Sequence, residues 1–98
     1  MLYLIIYDIT TDSIRTKIAK MLIEASFERL QFSVFLGLDN PKKNNVLWTK
    51  FTSILDKEPD AKFYILPIPK NSIKNIMCIG KNNLDIDYLT GEKDSLFI

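Results

Sequence analysis

The distribution of apolar and polar positions divides the chain into elements of two kinds. Leu2-Tyr3-Leu4-Ile5-Ile6-Tyr7 is an unbroken apolar run closed by Asp8. It is rich in β-formers and too short for a stable helix, so it reads as a strand buried on both faces. Ile14, Ile18, Met21, Leu22 and Ala25 then recur at helical spacing, with Thr11 or Asp12 as the N-cap. Phe27 to Leu38 returns to an extended pattern, as one bent strand or two short strands around Gln31 to Ser33. Gly37 marks a bulge or the exit turn. Asn40-Pro41 reads as a helix start, cap and first position, for the apolar face of Leu47, Trp48, Phe51, Ile54 and Leu55. Ala61 to Ile68 is the next strand; Pro67 and Pro69 have no N–H for a ladder, so it should lie at a sheet edge or leave the sheet there. Ile76-Met77-Cys78-Ile79 predicts one further brief strand.

Strand, helix, strand or hairpin, helix, strand is the βαββαβ order of an α+β, ferredoxin-like sandwich with both helices on one face of the sheet. The other face lies open, and a small domain closes such a face with a copy of itself, so a homodimer is expected. With 98 residues there is room for one core. The whole chain, 1–98, is expected to be one domain: a core over roughly 1–80 and a C-terminal strand and tail over roughly 81–98. The tail ends on Leu96-Phe97-Ile98, which wants a surface to pack against.

Composition removes several chemistries. There is no histidine, hence no His-dependent triad and no ordinary zinc site. Catalysis would have to rest on carboxylates, a hard oxygen-seeking cation, basic side chains or tyrosine. A single cysteine, Cys78, excludes an internal disulfide and fits a small buried hydrophobe in a reducing compartment. No apolar run approaches the length of a membrane span and the N-terminus lacks the pattern of a secretory signal, so a cytoplasmic protein is expected. Net charge is +1, but its distribution is uneven. Arg15 to Lys50 holds seven basic residues and three acids, whereas Leu84 to Ile98 holds four acids and one lysine. That asymmetry permits phosphate binding and equally describes a solvated surface. Asp8 stands where a central strand leaves the core, a position open to function and also to capping the following turn.

Tyr7-Asp8 closing the first strand, Arg15 and Lys17 opening the helix, Arg29-Leu30-Gln31, and Ser33-Val34-Phe35 running into Leu36-Gly37 together resemble the CRISPR-associated protein 2 family over essentially the whole chain. The resemblance implies a ferredoxin-like homodimer whose C-terminal strand crosses to the partner's sheet, and a Mg²⁺- or Mn²⁺-dependent phosphodiester endonuclease acting on RNA or DNA. It makes Asp8 the metal-binding carboxylate, one per subunit, and matches Tyr7, Arg15, Arg29 and Phe35 to other positions tied to activity. Lys17 stands where some relatives carry arginine, keeping the charge without the bidentate fork. Ser26 stands where many carry glycine. The resemblance also implies a role in spacer acquisition, bridging dimers of the CRISPR integrase and supporting prespacer duplex DNA. Arg15, Lys17, Lys20, Lys42 and Lys43 would then contact phosphates. A scaffold without relevant catalysis is the alternative, as is an unrelated ferredoxin-like RNA-binding module.

Overall fold

The computed structural model describes residues 1–77, 79 and 80. Cys78, the segment 81–98, and with them the expected C-terminal strand and tail, lie outside the described residues. The elements run β1 (Leu2–Asp8), α1 (Asp12–Glu24), β2 (Glu28–Gln31), β3 (Val34–Gly37), α2 (Asn45–Leu55), β4 (Lys62–Ile68) and α3 (Lys70–Lys74). The four strands form one antiparallel sheet in the order β2-β3-β1-β4, the ferredoxin-like arrangement. β1 is central. It pairs with β4 from Leu2↔Ile68 to Asp8↔Lys62 and with β3 from Tyr3↔Gly37 to Ile6↔Val34.

Two strands, not one bent strand, follow α1. β2 and β3 meet in a tight hairpin at Phe32-Ser33, and the register slips by one between Arg29 and Gln31. This β-bulge breaks the strict alternation that the sequence suggests for the segment.

Side chains that alternate along β1 sort into two clusters. Ile5, Tyr7 and Ile9 join Phe35, the α1 residues Ile18, Ala19 and Leu22, and the α2 residues Leu47 and Phe51 in the main core. Burying each large apolar side chain of this kind contributes about 1.5–3 kcal/mol. The opposite face is partly covered: Ile73 of α3 packs on Leu2 and Leu36, beside Leu4, Leu30 and Ile68. That cover stops short of the far end of the strand, where Ile6, Tyr64 and Leu66 stay exposed.

Helix ends depart from the sequence reading in three places. The Thr11 side chain makes no cap hydrogen bond; its hydroxyl donates instead to Glu58 Oε2 at 3.2 Å, tying the start of α1 to the segment before β4. Asn40 does accept from the Lys42 N–H at 3.0 Å, but the turn it caps is one 3-10 turn, Pro41–Lys43. Asn44 is extended and resets the chain, and its side chain caps α2 by accepting from the Leu47 N–H at 3.1 Å. The strand predicted at Ile76 to Ile79 is replaced by α3: Pro69 starts a short helix, and Ile76, Met77 and Ile79 beyond it are exposed. Ile76, Met77 and Ile79 pair with no strand among the described residues.

At the end of α1 the Ser26 N–H donates to the Ile23 carbonyl and the Phe27 N–H to the Leu22 carbonyl, both at 3.0 Å. These are the two bonds of a Schellman motif. It puts Ser26 at φ 69°, the left-handed region where glycine is relaxed and serine is not. Gly37 is needed for a different reason. A Cβ there would sit 2.5 Å from the Phe27 ring, so its role is space for that ring inside the sheet, not a turn.

Candidate functional site

The end of β1 places its last two side chains on opposite faces of the sheet, because successive strand residues alternate. Tyr7 points into the helix-covered core and is almost fully buried. Its ring stacks near those of Phe35 and Phe63, with centroids 6.2 and 6.0 Å away. Asp8 points the other way and is exposed. It stands directly across from Lys62 on β4 and at the margin of the exposed Ile6, Tyr64 and Leu66 surface.

The Phe32 carbonyl in the β2-β3 turn organises the covered side. It accepts from the Tyr7 hydroxyl at 3.3 Å and from Arg29 Nε and Nη2 at 3.2 and 2.7 Å. The neighbouring Ser33 carbonyl takes the Tyr7 backbone N–H at 3.1 Å, so the turn is pinned to the end of β1. The Arg29 guanidinium lies 5.5 Å from the Phe32 ring centroid and 5.4 Å from that of Phe35, a doubled cation–π contact. Two of the five N–H donors of this guanidinium are used on the carbonyl, and the side chain is otherwise exposed.

Burial raises the Tyr7 phenol above its usual value of 10.0, while the Arg29 and Arg15 charges pull it down. The net rise keeps Tyr7 protonated at neutral pH. It is therefore a hydrogen-bond donor that positions the turn, not a general base. Phe35 is wholly buried and contributes as the floor under Arg29 and the wall beside Tyr7.

Arg15, in the first turns of α1, donates to the Ile9 carbonyl at 3.2 Å and pairs with Asp12. Asp12 sits at a helix N-terminus, where a carboxylate is favoured, and it neutralises part of the Arg15 charge. Arg15, Lys20 and Arg29 line one groove of about 780 Å³ between α1 and the β2-β3 hairpin. Lys17 faces a different groove, between α1 and α2, together with Lys50. Lys42 and Lys43 belong to the turn after β3, at the opposite end of the sheet from Asp8. The five basic residues singled out in the sequence therefore occupy three separate places.

Among the described residues no group of three or more His, Cys, Asp or Glu side chains could hold a metal ion. Among the described residues one chain supplies Asp8 alone, so a divalent cation fits this position only with a second carboxylate from elsewhere and with water completing its shell.

The sequence carries no signal for Lys62, and Phe32, a base-stacking candidate there with Tyr3, Tyr7 and Phe35, is assigned to core packing instead. Lys62 is brought opposite Asp8 by pairing between distant strands. Phe32 reads as a core aromatic from composition, whereas the bulge and the tight turn at Phe32-Ser33 leave it exposed.

The family model for "CRISPR associated protein Cas2" matches residues 1–76. The chain belongs to that family. The CRISPR-associated endoribonuclease Cas2 1 of Archaeoglobus fulgidus is 29% identical over 86 residues, covering 88% of this chain and 90% of that protein. The crystal structure of Streptococcus pyogenes Cas2 superposes with a TM-score of 0.64 at 22% identity, over 82% of this chain and all of that one, and shares its fold. A chain of a partial Cas6-RT-Cas1–Cas2 complex is 31% identical, with a TM-score of 0.58, over 80% of this chain and 89% of that one. Among the described residues no helix is long and apolar enough to cross a membrane.

Proposed function

We propose that this Cas2-family chain works in CRISPR adaptation as a homodimer that binds nucleic acid and carries a divalent-metal-dependent endonuclease centre at paired Asp8 side chains. The observation that carries the proposal is the arrangement at the end of β1. Cations gather on one side of the sheet, while on the other Asp8 emerges beside an uncovered apolar surface, Ile6, Tyr64 and Leu66. A second copy laid on that surface removes it from water and brings a second carboxylate to the first. The endoribonuclease named among its relatives supports the chemistry, and the Cas1–Cas2 assembly supports an integrase partner. The expected C-terminal strand crossing to the partner's sheet would use the outer edge of β4, which pairs with no strand among the described residues.

Mg²⁺ or Mn²⁺ held by the two Asp8 carboxylates and water would supply Lewis acidity at a phosphoryl oxygen. The chain's own residues do the rest. Arg29, fixed by the Phe32 carbonyl and two rings, offers a preset fork to a phosphate. Arg15, anchored at the Ile9 carbonyl, adds positive charge beside it, so on the covered side of the sheet the two would hold a neighbouring phosphate of the strand and not the one at Asp8. Tyr7 holds the turn that holds Arg29. The ion also relieves the repulsion that two facing carboxylates would otherwise feel. The test is cleavage of single-stranded RNA and duplex DNA by wild type and Asp8→Asn with Mg²⁺, Mn²⁺ or EDTA. Cleavage present only with metal, and only in wild type, is expected. Equal cleavage in every lane would remove the enzymatic half of the proposal.

A second reading, a scaffold that bridges integrase dimers and supports prespacer duplex without relevant chemistry, is favoured by one observation. Lys17, Lys42 and Lys43 spread positive charge far from Asp8, as backbone contacts along a duplex would need. Spacer acquisition that survives Asp8→Asn but is lost on deleting the gene would select this reading.

A further inference from the structure

The groove between α1 and the β2-β3 hairpin has an unusual composition for a phosphate-binding surface: it pairs charge with exposed apolar walls. Phe32 forms one wall and is 86% exposed, and Ile23 of α1, 54% exposed, forms another. Arg15, Lys20 and Arg29 supply positive charge in the same groove, with Glu24 as its acid. A single exposed apolar residue on a soluble protein needs no explanation. Phe32 differs in how it is held. Its carbonyl receives three hydrogen bonds from Tyr7 and Arg29, and the Arg29 guanidinium lies over its ring. The backbone beneath an outward-facing ring is thus fixed by the buried Tyr7 and by Arg29, whose guanidinium also lies against the buried Phe35 ring. A turn of this kind ordinarily carries Gly, Asn or Asp; here it carries a large flat ring.

We propose that Phe32 is a base-stacking platform, and that the groove takes an unpaired nucleotide: its base on the Phe32 ring, its phosphate toward Arg15, Lys20 and Arg29. The ligand class is single-stranded nucleic acid, an RNA strand or the unpaired end of a DNA duplex. Both present the same chemistry, a π-face joined to an anion, and both fit a groove with apolar walls and cationic lining. A fully paired duplex does not, because its bases are already stacked on each other. This assignment rests on the nucleic-acid-binding reading above and adds to it a preference for unpaired nucleotides and the residue that creates it.

The test is fluorescence anisotropy with end-labelled single-stranded RNA, single-stranded DNA and blunt DNA duplex of equal length, in EDTA so that nothing is cleaved. Wild type, Phe32→Ala and Phe32→Trp are compared, each with sedimentation to record oligomeric state. Phe32→Ala should weaken single-strand binding roughly 5- to 150-fold, the size of one base–aromatic stack, with a much smaller effect on duplex binding, through the Arg29 that the ring helps to hold, and an unchanged oligomeric state. The dependence on salt should not change, since no phosphate contact is removed, and Phe32→Trp should restore the affinity. A loss confined to RNA or to DNA would support the platform and identify which strand it serves. Unchanged single-strand affinity in Phe32→Ala, with wild type binding duplex, would overturn the platform and leave the broader function standing. Equal loss on all three ligands, or a changed oligomeric state, would overturn it too, by placing Phe32 in a contact between copies. No binding of wild type to any ligand would overturn both.

Discussion

The two faces of the sheet treat the end of β1 in opposite ways. On the covered face, Tyr7 is packed between Phe35 and Phe63 and donates to a backbone carbonyl. On the other, Asp8 has an exposed side chain, and the residues around it, Ile6, Tyr64 and Leu66, remain in contact with water. A site composed of Tyr7, Asp8, Arg15, Arg29 and Phe35 is therefore two constructions joined back to back through one strand. The covered one is complete within a single chain: its side chains have their partners and its cation is fixed. The open one has a lone carboxylate and an unsatisfied apolar surface. The difference is what the proposed pairing of two chains would remove.

If this contrast holds, substitutions on the covered face should cost stability, and those at the open end should cost function alone. The largest expected effect is at Phe35, wholly buried and touching both Tyr7 and Arg29. Phe35→Ala should lower unfolding free energy by about 3–5 kcal/mol in urea titration, so lost activity in that variant would report a damaged core. Next is Gly37→Ala, whose added Cβ meets the Phe27 ring; a loss of about 1–3 kcal/mol is expected. A neutral result would mean that the ring moves aside easily.

Tyr7→Phe removes one part-buried hydrogen bond and should cost about 1 kcal/mol at neutral pH. Its signature lies at alkaline pH. Burial raises the folded-state pKa above the ordinary 10.0, so the folded chain holds this proton more tightly than the unfolded one. That stabilisation is complete below the unfolded value and is lost as pH climbs through the raised one. Stability of wild type should therefore fall on the alkaline side more steeply than that of Tyr7→Phe, measured by thermal melts across pH. Smallest of all, Asp8→Asn should change stability by no more than about 0.5 kcal/mol. A large destabilisation there would mean that Asp8 is a structural cap, erasing the contrast.

Much of this architecture was legible in the sequence because its strands and helices follow strong periods. Leu2 to Tyr7 is a continuous run, and Ile14, Ile18, Met21 and Leu22 mark one helix face. Pro67 correctly placed β4 at an edge, since a residue without an N–H is tolerated there. What was not legible depends on pairing or on local competition. Asn40 and Asn44 both look like caps, and only the folded chain shows that the first closes a 3-10 turn and the second starts α2. Ile76 to Ile79 has strand composition, but Ile76, Met77 and Ile79 find no ladder among the described residues. The candidate site residues come from family resemblance, which carries position but not facing. That Tyr7 and Asp8 diverge follows from strand alternation, whereas Lys62 opposite Asp8 and Phe32 in the groove depend on register and on a bulge. Neither leaves a periodic trace.

The central claim is that the Asp8 centre belongs to a pair of chains and not to one. Calorimetric titration of Mn²⁺ into the protein tests it most directly, with wild type, Asp8→Asn and an open-face variant, Leu66→Glu, that should separate the copies. The account predicts one ion per two chains in wild type, and no binding in either variant. An ion bound by each chain independently, and still bound by monomeric Leu66→Glu, would contradict it.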